Sequence, residues 1–259
     1  MIERTMYLDC RSGVSGDMLL AALSSACPDP EAAILAVRDE LISMGVSGLT
    51  LKLERVRISG LVSWRAIVDW PEKQPLRTIA DIEAIICKSQ RDDSLIDQMM
   101  TTIKLLGTAE SVVHGLPLDQ IHFHEIGAVD TLVDVVGTHL LLRELGVVAV
   151  IASPVNLGSG TVRMAHGVFP VPAPAVAELS KNLLVYGSNL GMEAATPTGV
   201  ALIRSLAKQQ GELPEGRVVS VGCGCGTRSS DAVPTMLRAF LLEQESVLFQ
   251  NNGANLCQS

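Results

Sequence analysis

Aromatic residues are scarce in this chain: two Trp, two Tyr and four Phe make up 3% of it. The core therefore has to be built from Leu, Val, Ile, Ala and Met. Histidine is scarce too, five residues in 259. No C-x-x-C pair occurs among the six cysteines Cys10, Cys27, Cys87, Cys223, Cys225 and Cys257. That argues against a structural zinc frame and suits thiols kept reduced. No apolar run approaches the ~18–20 residues needed to cross a bilayer. The first ten residues, with an acid at Glu3, hold no apolar signal core. The expectation is a cytoplasmic protein that does not enter a membrane. Cationic side chains are outnumbered, 20 Lys and Arg against 28 Asp and Glu, and the net charge of −8 argues against a nucleic-acid partner. It leaves small phosphorylated ligands open, because loops and helix ends hold those locally.

What is present is a folded composition, 47% apolar and 19% charged. The length suits one large domain or two small ones. Periodicity predicts a strand over 5–9, a Gly/Ser loop over 11–16, and a helix capped by Asp17. A second helix is predicted over 31–44, a hairpin of strands 49–53 and 62–68 around Gly60, and helices over 77–88, 94–114 and 130–145, the last ended by Gly146. Then come a strand over 147–152, a Gly/Pro-rich stretch over 154–174, short helices over 175–181 and 199–209, and strands over 217–221 and 236–242. No internal repeat is visible. The reading is α/β, with an α+β arrangement also open: one domain over 1–245, a mixed sheet flanked by helices and Gly/Pro-rich functional loops, and a flexible tail over 246–259.

Five stretches carry candidate chemistry. HFHEIGAVD places His122, His124, Glu125 and Asp130 within nine residues. In an extended segment the two imidazoles share a face, about 7 Å apart, and Asp130 and Asp134 share a helix face. Imidazole with carboxylate suits zinc, nickel or iron; the alternative is that the histidines bond to neighbouring groups and Asp130 caps a helix. DCRSGVSGD follows a strand and opens a helix, with Ser12, Gly13, Ser15, Gly16 and Asp17 placed to cradle an anion, although it is neither a Walker loop nor GxGxxG. Its alternative is a tight turn, with Asp17 repelling an anion. LGSG through AHG puts His166 on a shaped loop, as third ligand or acid/base. In ATPTG, Thr196 reads first as a helix cap ahead of Pro197, and Thr196 and Thr198 second as phosphate donors. GCGCGTR offers Arg228 as an anion clamp, with Cys223 and Cys225 either soft ligands or small packing residues. His114 and His139 lie in predicted helices and read as satisfied or exposed side chains rather than ligands.

Together the stretches YLDCRSGVSGDMLLAAL, HFHEIGAVDTLVDVVG, ASPVNLGSGTVRMAHGVFPVPAPAVAEL, EAATPTGVAL, GCGCGTR and LRAFLLE resemble the nickel insertion proteins of the nickel-pincer cofactor pathway, over residues 6–243. The chain departs from the family pattern at Arg11, where an aromatic is expected, at Cys223 and Cys225, and at Ser229, where an Asp is expected. The resemblance implies a CTP-dependent nickel chelatase, a lyase of the cyclometallase type. Such an enzyme inserts Ni2+ into pyridinium-3,5-bisthiocarboxylic acid mononucleotide to make the cofactor of lactate racemase. It also implies that CTP, with a divalent metal, is bound by a C-terminal domain beyond this sequence. The alternative role is a non-catalytic nickel- or precursor-binding subunit that works with a separate C-terminal partner; a homo-oligomer is also possible. On this reading nickel is expected on His122, His124 and Glu125, with Asp130 or His166 completing the set. The mononucleotide is expected on Ser12, Gly13, Ser15, Gly16, Asp17, Thr196, Thr198 and Arg228, and the base that takes the ring proton is Glu125 or His166.

Overall fold

The computed structural model describes residues 2–70, 77–121, 129–226 and 235–245. Strand β1 (Ile2–Asp9) leads through loop 10–15 into helix α1 (Gly16–Ala26). Helix α2 (Pro30–Ser43) starts on Asp29, whose carboxylate accepts the Ala32 N–H at 3.0 Å. Pro30 stands in its first turn, where a missing N–H leaves nothing unbonded. Strands β2 (Thr50–Ile58) and β3 (Leu61–Asp69) form a hairpin across Ser59 and Gly60, φ 49° and 83°, the positive-φ pair that follows strand twist. Helix α3 (Ile79–Ile86) opens on a capping box of Thr78 and Asp81. Helix α4 (Asp93–His114) opens on Asp92 and closes on left-handed Gly115.

Helix α5 (Val129–Glu144) is buried on nearly every side from Val129 to Leu142, as expected of a helix apolar all round. Strands β4 (Val147–Ala152), β5 (Val155–Asn156), β6 (Thr161–Met164) and β7 (Gly167–Pro170) follow, then helix α6 (Pro174–Leu179), strand β8 (Val185–Tyr186), helix α7 (Pro197–Leu206), and strands β9 (Ala207–Gln210), β10 (Arg217–Cys225) and β11 (Met236–Glu245).

The main sheet runs β2-β3-β10-β11-β1-β4-β9. It is mixed: β1 is antiparallel to β11 and parallel to β4, and β4 is parallel to β9. Helices α1, α2, α5 and α7 pack on one face, over Met6, Leu8, Leu237 and Leu241. The other face carries a small cluster of Tyr7, Ile151, Phe240 and Leu242. Two glycines of β10 explain how α1 lies so close. A Cβ on Gly222 would stand 1.9 Å from the Ala22 carbonyl oxygen, and one on Gly224 2.0 Å from that of Met18. The GCGCG stretch is thus a seat for a helix, and Cys225 is buried with its thiol against the Trp64 carbonyl.

The reading of a single α/β domain with a mixed sheet and packed helices is borne out. Two local expectations are corrected. Ser15, not Asp17, occupies the cap position of α1, in extended backbone and without a side-chain cap bond. Gly16 opens the helix because its Cα faces the Asp134 carboxylate, where a Cβ would stand 2.0 Å from Oδ2. The helix expected over 199–209 begins at Pro197 and ends at Leu206; the next four residues form β9, hydrogen-bonded to the sheet edge at β4. The Gly/Pro-rich stretch also holds short strands that went unforeseen. The tail over 246–259 lies outside the described residues. No helix among the described residues is long and apolar enough to cross a membrane.

Candidate functional site

The loop after β1 leaves the sheet at the carboxyl ends of β1 and β4, the usual ligand side of parallel strands in such sheets. Its backbone is tied into two other motif loops. The Val14 N–H donates to the Ala194 carbonyl at 2.9 Å, and the Thr196 N–H returns to the Val14 carbonyl at 3.0 Å. The Ala194 N–H donates to Leu157 at 3.2 Å, and the Ser159 N–H to Met192 at 3.1 Å. Glycine makes the approach possible. Gly13 has φ 98°, and a Cβ there would stand 2.0 Å from the Ala194 carbonyl oxygen. Loops 12–15, 157–160 and 192–196 therefore form one laced frame.

Asp9, at the end of β1, anchors the frame from behind. It is buried, and it accepts two hydrogen bonds from the Arg11 guanidinium, at 2.7 and 2.9 Å, one from the Arg11 N–H at 3.3 Å, and others from Arg238 across the sheet. Burial pushes its carboxyl up, but the two guanidiniums more than offset that and hold it below the usual range. The Arg11 carbonyl accepts from Asn156 Nδ2 at 3.0 Å and from the Tyr186 hydroxyl at 3.1 Å.

In front of the frame is a cleft of about 510 Å³. Asp17, Glu110, Asp130, Asp134 and Glu193 line it, with Arg163 as the cation among its lining residues. Ser15, Thr196 and Thr198 complete its polar wall. The Ser15 hydroxyl donates to Asp17 Oδ1, which also accepts the Met18 N–H at 2.9 Å. Asp134 is buried, 7% exposed. Burial first, then the charges of Asp17 and Asp130, push its carboxyl well above the usual range. Burial and Asp17 also raise Asp130, and a hydrogen bond from Trp70 opposes them. Carboxylates crowded this way favour either a proton or a cation between them. Among the described residues, however, no three His, Cys, Asp or Glu side chains stand close enough to hold a metal ion by themselves.

The structure brings Ser15, Gly16, Asp17, Asp130, Thr196 and Thr198 to this one cleft. Gly13 lies behind it in the frame. Ser12 lines a separate small cleft with Arg11, Asn156, Tyr186 and Ser188. His166 is not in the main cleft but in the pocket beside it, with His114. Thr196 also caps α7, accepting the Gly199 N–H at 3.3 Å, as its position before Pro197 suggested. His122, His124, Glu125 and Arg228 lie outside the described residues, although α5 begins directly after the HFHEIGA stretch and brings Asp130 with it. Sequence reasoning passed over Glu110, Arg163 and Glu193. Glu193 had a visible signal, as the first letter of EAATPTG; the other two are placed only by tertiary packing. A larger depression of about 630 Å³ at the far end of β4, lined by His139, Arg143 and Lys208, draws on none of the five stretches.

A family profile described as nickel insertion protein matches residues 6–256. The chain is 40% identical over 248 residues to a Geobacter metallireducens protein named for nickel insertion, covering 96% of this chain and 63% of that protein. It is 39% identical over 237 residues to a pyridinium-3,5-bisthiocarboxylic acid mononucleotide nickel insertion protein of Nocardioides sp., covering 92% of this chain and 59% of that one. A protein of the same name from Geobacillus kaustophilus is 34% identical over 266 aligned positions, covering 99% and 63%. The chain thus spans about three fifths of the length of these curated relatives. No solved structure matches it.

Proposed function

The chain belongs to the nickel insertion protein family, and from that membership we propose that it presents Ni2+ to pyridinium-3,5-bisthiocarboxylic acid mononucleotide and takes part in closing the metal–pincer bonds. The observation that carries this reading is the cleft of Asp17, Asp130, Asp134 and Glu193 at the head of α5, directly after two histidines and a glutamate in sequence. His122, His124 and Glu125, with Asp130, hold the ion. Imidazole and carboxylate suit nickel without the grip of a full thiolate set, so the ion can be released. The raised carboxyls of Asp130 and Asp134 keep the empty cleft from repelling itself apart. Nickel takes the place of their protons as it binds.

The mononucleotide's phosphate lies on the cleft side of the frame, on Ser15 and Gly16 with Thr196, Thr198 and Arg228, while Gly13 supports that wall from behind and Ser12 faces the smaller cleft; the mononucleotide's ring reaches over the nickel beside Asp17. Two thiocarboxylate sulfurs and one ring carbon then bond to the metal. The carbon gives up its hydrogen as a proton, and Glu125 accepts it, because His166 stands in the pocket beside the cleft. CTP, with its own divalent metal, acts through the part of the longer relatives that this chain does not span. The product serves lactate racemase or another enzyme built on the same cofactor.

Equilibrium dialysis tests the metal half of the proposal. The wild-type chain should bind nickel stoichiometrically. Asp17→Asn/Asp130→Asn and His122→Ala/His124→Ala, each checked for native circular dichroism, should each weaken binding roughly tenfold to a hundredfold. Wild-type affinity in both variants would remove nickel from this cleft.

A further inference from the structure

We infer that His114 and His166 form a second nickel-binding point, a two-imidazole site through which the ion passes on its way to the carboxylate cleft. This rests on the nickel reading above and adds a place the ion occupies first. His114 is the last residue of α4, set by the left-handed turn at Gly115. His166 stands in the turn between β6 and β7, one residue before Gly167. The fold brings them together from separate elements, with ring centroids 5.0 Å apart and planes at 62°.

One helical turn back, Glu110 Oε2 lies 3.1 Å from His114 Nε2. A proton on Nε2 directed at that carboxylate leaves the lone pair on Nδ1, the way proteins orient metal-binding imidazoles. His166 is exposed and His114 half-buried, so an ion meets them from solvent. Their pocket, about 330 Å³ and walled by Met164, Phe169 and Ala175, shares Glu110, Met164 and Ala175 with the carboxylate cleft. An ion that leaves the imidazoles is already at the cleft's edge.

Chemistry gives the pair a task at the cleft's mouth. Carboxylates discriminate less sharply than imidazole between nickel and magnesium or calcium, whereas imidazole favours nickel and its neighbours. Two imidazoles at the entrance select the metal before the acids see it. Among the described residues no third donor closes the site, which leaves coordination positions to water and keeps the ion exchangeable.

NMR of the histidine ring C–H signals, assigned by single His→Gln variants, reads this on the wild-type chain, because paramagnetic Ni(II) broadens nuclei near it. Substoichiometric nickel chloride should broaden His114 and His166 together, and magnesium chloride should leave both sharp. In dialysis, His114→Gln/His166→Gln should lose one of its nickel equivalents and keep the one that Asp17→Asn/Asp130→Asn removes. Broadening confined to His122 and His124, with the double His variant binding as much nickel as wild type, overturns the transit site and leaves the proposed function standing. An absence of nickel binding in every form overturns both.

Discussion

Asp134 shows how one side chain links stability to function. Its carboxyl is raised in the folded chain by burial and by two neighbouring aspartates. A carboxyl raised on folding contributes stability that is full below the unfolded value, near ~4, and is lost as pH rises through the folded value. The metal-free chain should therefore lose melting temperature as pH rises above the unfolded value near ~4, and Asp134→Asn should flatten that decline. Nickel affinity should move the opposite way, rising with pH as the competing proton leaves. Calorimetry in buffers of different ionisation enthalpy would count the protons released, and Asp134→Asn should release fewer.

His139 is the mirror case. It is buried under α4 and α7, with Nε2 2.9 Å from the Thr102 hydroxyl, and burial depresses it to about 4. Here stability is complete above the unfolded value near ~6.5 and drains away as pH falls toward the folded one. The full linkage is about 3 kcal/mol. Acid unfolding of the wild type should steepen below pH 6.5, and His139→Gln should lose that slope in urea titrations at pH 5 and 7. The sequence alone placed His139 in a helix as a satisfied or exposed residue; the fold resolves that as satisfied at Nε2 and buried.

At the scale of elements, α1 on β10 is the contact most sensitive to added volume. Ala at Gly222 or Gly224 would drive a methyl into the α1 backbone, and neither partner can yield without moving a helix. Each substitution should cost about 1–3 kcal/mol or more, read as a drop in denaturation midpoint. Gly60→Ala meets no atom within 4 Å, but its φ of 83° strains any side chain, so it should cost less and act only locally.

Elements with strong local signals were legible. The hairpin around Gly60 was readable from alternation, α5 from its long apolar run ended by Gly146, and the α7 cap from Thr-Pro. What the sequence hid was decided at a distance. AKQQ continues a helix by local propensity, yet β4 offers it an open ladder, and the Gln210 side chain bonds the backbone of Ser153 and Leu184. The motif glycines looked like ligand loops. Gly13 serves as a spacer between loops, and Gly222 and Gly224 as spacers beneath a helix.

For the whole molecule, the helices gather on one face of the sheet and the motif loops at one end of its parallel strands. That placement lets Asp17, Asp130, Glu193 and Thr196, spread over some 180 residues of sequence, meet in one cleft. The family assignment was readable from the motifs, but the acid wall was not, because Glu110 and Arg163 reach it only through packing. Since the chain spans about three fifths of its relatives, nickel binding and nickel insertion should separate. The chain alone should bind the metal and fail to turn over. Adding the remaining segment of a relative in trans, with CTP, should restore insertion as measured by nickel in the isolated mononucleotide. Turnover without that segment would assign the whole reaction to these residues.

The lacing of the three loops runs almost entirely through main-chain groups. Val14, Ala194, Leu157 and Met192 contribute their amides and carbonyls, not their side chains. The frame is therefore indifferent to what projects from it. Wall residues such as Ser15, Glu193 and Thr198 can be exchanged one at a time while the cavity keeps its outline. A scaffold of this kind can be retuned for a different metal or a different ring without being rebuilt, and a library varied only at those positions should yield folded proteins with altered metal preference.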